Sequence, residues 1–134
     1  KLENRPIEFS VLEHDFKVAR NNFDFLVVEG SGGIICPLRW DNEKIILSDL
    51  VKHFDLPTII VADSGLGTIN ATVLTVEYLR AKNIPIKGII LNRFDENRLI
   101  DVDNEKMIIE LTTLPIIAKV PLNASEIELA EKIF

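Results

Sequence analysis

One cysteine, Cys36, stands in 134 residues. No internal disulfide can form, and a reducing, cytoplasmic setting is expected. No apolar run approaches the ~20 residues that span a bilayer. The opening residues, KLENRPIEFS, are too polar and mixed for a signal peptide. No membrane partner is therefore expected. Basic runs are missing too, and the net charge is -6, which argues against a nucleic-acid partner. An acidic protein that handles anions must do so locally, with backbone N–H groups, a few cations or a metal. There is no Gly-Lys dipeptide, so the phosphate-binding loop G-x-x-x-x-G-K-[ST] is absent from this chain. No Ser/His/Asp or Cys/His set has a suggestive spacing. His14 and His53 fall on expected helices and read as surface or packed residues, and Cys36, inside the apolar run IIC, reads as buried and inert. Without an initiator Met, the chain is expected to begin inside a longer polypeptide or after processing. Repeats, linkers and low-complexity segments are lacking.

What is present is a globular composition, 47% apolar and 27% charged, at a length of one domain. Four short apolar runs rich in β-branched residues recur: FLVVE (25–29), TIIVA (58–62), KGIIL (87–91) and IIAKV (116–120). None alternates cleanly, which predicts parallel strands covered on both faces. Helical spacing falls between them. Phe9, Leu12, Phe16 and Ala19 mark a helix over 7–21; Ile46, Leu50, Val51 and Phe54 mark one over 46–54. Ile69, Val73, Val76 and Leu79 or Ala81 mark another over 69–82, and 104–112 and 125–134 read as two more, the last through Ile127, Leu129, Ala130 and Ile133. Alternating strands and helices with short links predict an α/β fold: a parallel sheet with flanking helices and right-handed crossovers, over 1–134 as a single domain. Pro57, Pro85, Pro115 and Pro121 sit at strand edges, where a missing N–H is tolerated.

Ligands of open parallel sheets bind outside the carboxyl ends of the strands, and three clusters fall there. The first is VVEGSGGIICPL (27–38). A carboxylate such as Glu29 can hold Mg²⁺ together with phosphate oxygens, and the following glycines let backbone N–H groups approach a ligand. The plainer alternative is a sharp turn with a solvated Glu. The second is ADSGLGTIN (62–70), where Thr68 is the expected N-cap of the helix that follows. Free N–H groups at that helix start would suit a carboxylate or phosphate; a ligand-free glycine link is the alternative. The third is LNRF (91–94), where Asn92 can both donate and accept, as adenine's edge requires.

Together these stretches resemble the dethiobiotin synthetase family. VVEGSGGIICPL is similar to that family's V-E-G-A-G-G…P-L signature, with Ser31 in place of Ala. LPTIIVADSGLGTINATVLTVEYLRAKNIPIKGIILN follows its L-P-x-I-x-V…L-G-x-I-N-H-x-L-L-T…G-x-x-x-N block in order and register. Ala71 departs from it, at a position where His is frequent. The resemblance continues through VPL (120–122). It implies part of a P-loop NTPase-like fold, a homodimer, ATP and Mg²⁺ as cofactors, and CO₂ and 7,8-diaminopelargonate as substrates. It further implies Glu29 as a Mg²⁺ ligand, with Gly32 and Gly33 near substrate. Gly67, Thr68, Ile69 and Asn70 would receive the substrate's distal carboxylate, reached from the neighbouring subunit. Asn92, Pro121 and Glu128 would hold the nucleotide. The family's P-loop and the strand after it are not matched, so the chain resembles a C-terminal part, roughly three-fifths of a full-length member. Two other readings stand beside this one. A cobyrinate amidase-like synthase shares the core and the glycine loops, and a nucleotide-free dimerisation or regulatory module would fit the missing P-loop.

Overall fold

The computed structural model describes residues 5–129. The chain forms two compact units, Lys1–Leu50 and Val51–Phe134.

The first unit opens with helix α1 (Phe9–Asn22). Phe9, Leu12, Phe16 and Ala19 are half-buried while most of their neighbours are exposed, so the helical stripe read from the sequence is the stripe that packs. No residue of α1 is fully buried. The run FLVVE was expected to be a strand and is not one: residues 25–29 have no regular structure, and Val27 is 81% exposed. A strand holds its shape through hydrogen bonds to its neighbours, and no strand among the described residues pairs with this run. Instead the unit contains an antiparallel hairpin, β1 (Pro37–Trp40) and β2 (Lys44–Ile46), which the apolar runs did not reveal. Its turn is built by Asp41, whose Oδ1 accepts from Glu43 N–H at 2.9 Å and from Arg39 Nε at 2.9 Å. Arg39 Nη1 also donates to the Ile7 carbonyl at 3.2 Å and pairs with Glu43 and Glu8 at 2.6 and 3.3 Å. Helix α2 (Leu47–His53) follows directly, within the expected range.

The second unit carries β3 (Thr58–Asp63), α3 (Thr68–Ala81), β4 (Ile86–Asn92), α4 (Leu99–Thr112) and β5 (Ile116–Val120). The strands are parallel in the order β3-β4-β5. This is the α/β sheet with flanking helices that the sequence predicts, with three strands in place of four. Its core joins Ile60, Ile89, Leu91 and Ile117 of the sheet with Val76, Leu79 and Ile108 of the helices. Burial on both faces, as expected, is found on β4 and β5, where the neighbours Gly88 and Ile89 and the neighbours Ile117 and Ala118 are buried, but on β3 it is one-sided. Ile60 and Ala62 are buried, but Val61 between them is 65% exposed, because alternate residues of a strand face opposite ways. Helix α4 starts five residues before the expected 104. Leu99 and Ile100, 84% and 38% exposed, add apolar residues without adding to an inward stripe. The helix expected over 125–134 is not found over residues 125–129, and the remainder lies outside the described residues. Ile127 and Leu129 are exposed, and a short helix without a packed face is marginal.

Candidate functional site

In the second unit the carboxyl ends of all three strands meet. Register pairs Asp63 with Asn92 and Asn92 with Val120, so the loops after β3, β4 and β5 start side by side. Ser64, 1% exposed, joins the first two: its Oγ and its N–H both donate to the Asn92 carbonyl, at 2.6 and 3.1 Å. Phe94 N–H donates to the Val120 carbonyl at 3.0 Å, tying the third loop to the second.

The loop after β3 leads into α3 through Gly67, whose φ of +88° is a left-handed conformation that glycine adopts without strain. Gly67 is therefore the N-cap, and the expectation that Thr68 caps α3 is corrected. Thr68 is the first helical residue and is buried; its hydroxyl donates back to the Asp63 carbonyl and lies 3.4 Å from Thr72 Oγ1. The sequence could not separate the two because both residue types suit helix starts. A helix start leaves its first N–H groups over. Thr68 N–H turns back to the Gly65 carbonyl at 3.3 Å and Ala71 N–H reaches Gly67, so Ile69 and Asn70 are left to present theirs. Asn70 is exposed and Ile69 half-buried.

At the end of β4, Asn92 is half-buried. Its Oδ1 accepts from Arg93 N–H at 3.0 Å, which turns the carboxamide and leaves it a second lone pair and two donors. Arg93 takes φ +58° to make that contact. Beyond it opens a cavity of about 710 Å³, lined among others by Arg93, Phe94, Arg98, Lys119 and Pro121. Lys119 Nζ lies 5.0 Å from the Phe94 ring centre and pairs with Glu105 at 3.2 Å. The lining is mixed in charge, with Asp95 and Glu96 beside the three cations, and its apolar wall of Phe94, Pro121 and Leu122 suits a flat ligand. Sequence reasoning named Pro121 here and quoted LNRF without giving Arg93 a role, and it missed Arg98 and Lys119, whose positions in the chain carry no motif. Glu128 is exposed, in irregular backbone, and is not among the cavity's lining residues. Asp101 closes the rear of this loop. Fully buried in the first turn of α4, it accepts from Asp95 N–H at 3.0 Å and lies 3.7 Å from Arg98 Nη2.

Glu29, Gly32 and Gly33 belong to the first unit and are exposed. Their loop is fixed to the start of α2 by Leu47 N–H on the Cys36 carbonyl and Ser48 N–H on the Ile34 carbonyl, at 3.0 and 3.1 Å. Cys36 is half-buried rather than buried, since it forms part of this turn. At Gly30 a Cβ would come within 2.1 Å of Leu47 Cδ2, so a larger residue there would have to push the Leu47 side chain aside. At Gly33 a Cβ would meet nothing within 4 Å, so space for a ligand remains there. Among the described residues no three His, Cys, Asp or Glu side chains gather as a metal cluster. A lone exposed carboxylate still fits Mg²⁺, which takes one or two protein carboxylates and fills its octahedron with phosphate and water.

A parallel sheet whose strand ends carry a glycine-capped helix start beside an open cavity of mixed charge defines part of a P-loop NTPase-like α/β domain. The chain belongs to the AAA domain family, whose model matches residues 2–127. Over 118 residues it is 47% identical to the ATP-dependent dethiobiotin synthetase of Brachyspira hyodysenteriae, covering 87% of this chain and 53% of that protein. The enzymes of the same description from Clostridium botulinum strain Alaska E43 and Clostridium perfringens ATCC 13124 are each 46% identical, over 116 and 121 residues. These cover 87% and 90% of this chain, and 51% and 53% of the two enzymes. The chain thus spans about half the length of the curated relatives it matches. No helix among the described residues is long and apolar enough to cross a membrane.

Proposed function

We propose that residues 1–134 are the C-terminal portion of a single dethiobiotin synthetase domain, acting in the cytoplasm as a homodimer. The reaction is the ATP- and Mg²⁺-dependent closure of 7,8-diaminopelargonate and CO₂ into the cyclic urea of dethiobiotin, with the P-loop supplied from outside this chain. The observation that carries the reading is the hydrogen-bonded junction of the β3 and β4 ends, where Ser64 bonds to Asn92. It sets a helix start able to hold a carboxylate beside a carboxamide able to read adenine. One amine of the substrate adds to CO₂ to give a carbamate, which takes the γ-phosphoryl group of ATP. The second amine then attacks the activated carbon, closes the ring and expels phosphate. When bound, Mg²⁺ would neutralise charge on the phosphates, and Glu29 would hold it. Ile69 and Asn70 N–H, with the Asn70 side chain, would fix the substrate's distal carboxylate at the α3 start. Gly32 and Gly33 would leave room for its reacting end, and Gly67 and Thr68 would shape the loop. Asn92 and Pro121 would hold the adenine; Glu128 would join them only if its segment folds over the cavity.

The test has two parts. The whole gene product is assayed for dethiobiotin with Mg²⁺, ATP, bicarbonate and 7,8-diaminopelargonate. Residues 1–134 are assayed alone and mixed with the unmatched part of the Brachyspira enzyme. Phosphoryl transfer is mostly positioning and electrostatics, so the chain alone is expected to release no substrate-dependent ADP. Dethiobiotin from the whole product supports the reading. A folded whole product that makes none would mean a different synthase or a non-catalytic module, and ADP release by residues 1–134 alone would overturn the assignment of phosphate binding elsewhere.

A further inference from the structure

We infer that Asn104 is a positioning residue that aims the backbone donors of the β3–α3 loop at the substrate's carboxylate. This rests on the substrate assignment proposed above. Asn104 lies inside α4, only 8% exposed, and it is an unfavourable residue for a helix interior. Its side chain does not bond within its own helix. Nδ2 donates one hydrogen to the Ser64 carbonyl at 2.8 Å and the other to the Gly65 carbonyl at 3.0 Å. Both acceptors are carbonyls, so only the amino end of the carboxamide can face them.

The consequence follows from the peptide unit. In a trans peptide the C=O and the next N–H point to opposite sides of the chain. No cis bond occurs among the described residues. Drawing the Ser64 and Gly65 carbonyls toward α4 therefore turns Gly65 N–H and Leu66 N–H the other way. Leu66 is 95% exposed, so that side of the loop is open. The Gly65 carbonyl also receives Thr68 N–H, which fixes where α3 begins and hence where Ile69 and Asn70 present their N–H groups. One buried carboxamide thereby sets the direction of successive peptide planes in a glycine-rich loop that would otherwise sample many. The nucleotide side of the junction is fastened separately, by Ser64 Oγ on the Asn92 carbonyl, so the two ligands should respond differently to loss of Asn104.

The test is Asn104→Asp, which keeps the shape and removes both donors, with Asn104→Ala as a second variant, made in the whole gene product. Losing two hydrogen bonds to a loop that holds a charged group should raise KM for 7,8-diaminopelargonate at least about tenfold. KM for ATP should stay within about twofold and kcat within about threefold, as for loss of binding that is uniform between ground and transition states. In residues 1–134, hydrogen exchange at Thr68 and Ala71, whose N–H groups bond back to the Gly65 and Gly67 carbonyls, should quicken in both variants while Ile89 and Leu91 in β4 stay protected. Equal rises in both KM values would show general damage and overturn the inference, as would unchanged KM values or unchanged loop exchange. An inactive wild-type whole product would instead refute the function proposed above, and the exchange measurement would still decide whether Asn104 orders the loop.

Discussion

Gly88 shows how little a single residue need announce itself. It sits within KGIIL, where the run reads only as strand. In the structure a Cβ there would lie 2.6 Å from Ile117 Cγ2 and 3.0 Å from the Pro115 carbonyl oxygen. The side chain of Ile117 could shift, but the Pro115 backbone cannot without disturbing the junction of β4 with β5, where Ile89 N–H bonds to that same carbonyl at 3.0 Å. Overpacking of this kind costs ~1–3 kcal/mol. Gly88→Ala should lower the unfolding free energy of residues 1–134 by that amount in a urea titration. An unchanged midpoint would mean that β5 sits further from β4 than the structure places it. Asn92 is the opposite case: a residue singled out by chemistry and a family motif, found at a strand end with its carboxamide oriented by its neighbour's N–H.

At the scale of elements, the hairpin and the run before it are the informative pair. FLVVE has strong strand chemistry, yet no strand among the described residues pairs with it; PLRW and KII have modest strand chemistry and each other. Pairing decides between them. The hairpin's turn also makes a pH prediction. Glu43 N–H first, and then the Arg39 guanidinium, stabilise the charged form of Asp41 and hold its carboxyl below the usual carboxylate range. The Asp41 charge in turn holds Arg39 above its ordinary value. A depressed folded pKa contributes stability that is present above the unfolded value and is lost as pH falls through the folded one. The hairpin should therefore be intact at neutral pH and loosen only as pH drops below about 4. The Glu43 amide resonance, followed by NMR, should titrate with a midpoint below that of an exposed Asp, and Asp41→Asn should abolish the transition. A midpoint in the ordinary Asp range would show that the Asp41–Glu43 bond does not form in solution.

At the scale of the whole molecule, the proposed homodimer is open to a direct measurement. A carboxylate loop that serves the neighbouring subunit must lie at the interface, and residues 65–80 carry exposed apolar side chains, Leu66 at 95% and Leu74 at 61%. Light scattering of the whole gene product with 7,8-diaminopelargonate should give a dimer mass, and Leu74→Glu should shift it toward monomer, as a charge placed in an interface core would. A monomer at high concentration, with substrate present, would sink the proposal.

The sequence alone determined the α/β class, the parallel strands at 58–62, 87–91 and 116–120, and the helices between them, because those segments carry their own periodicity and their partners lie within the chain. It also singled out the strand ends at which chemistry is proposed, since residue type and motif spacing are local. Tertiary structure alone decided that FLVVE is not a strand, that β3 is covered on one face only, and that Gly67 rather than Thr68 caps α3. It alone brought Asn104 to Ser64 and Gly65, 40 and 39 residues away. Each of these depends on what stands opposite a residue in space, and a helix, a strand edge or a carbonyl acquires its partner only when the chain closes on itself.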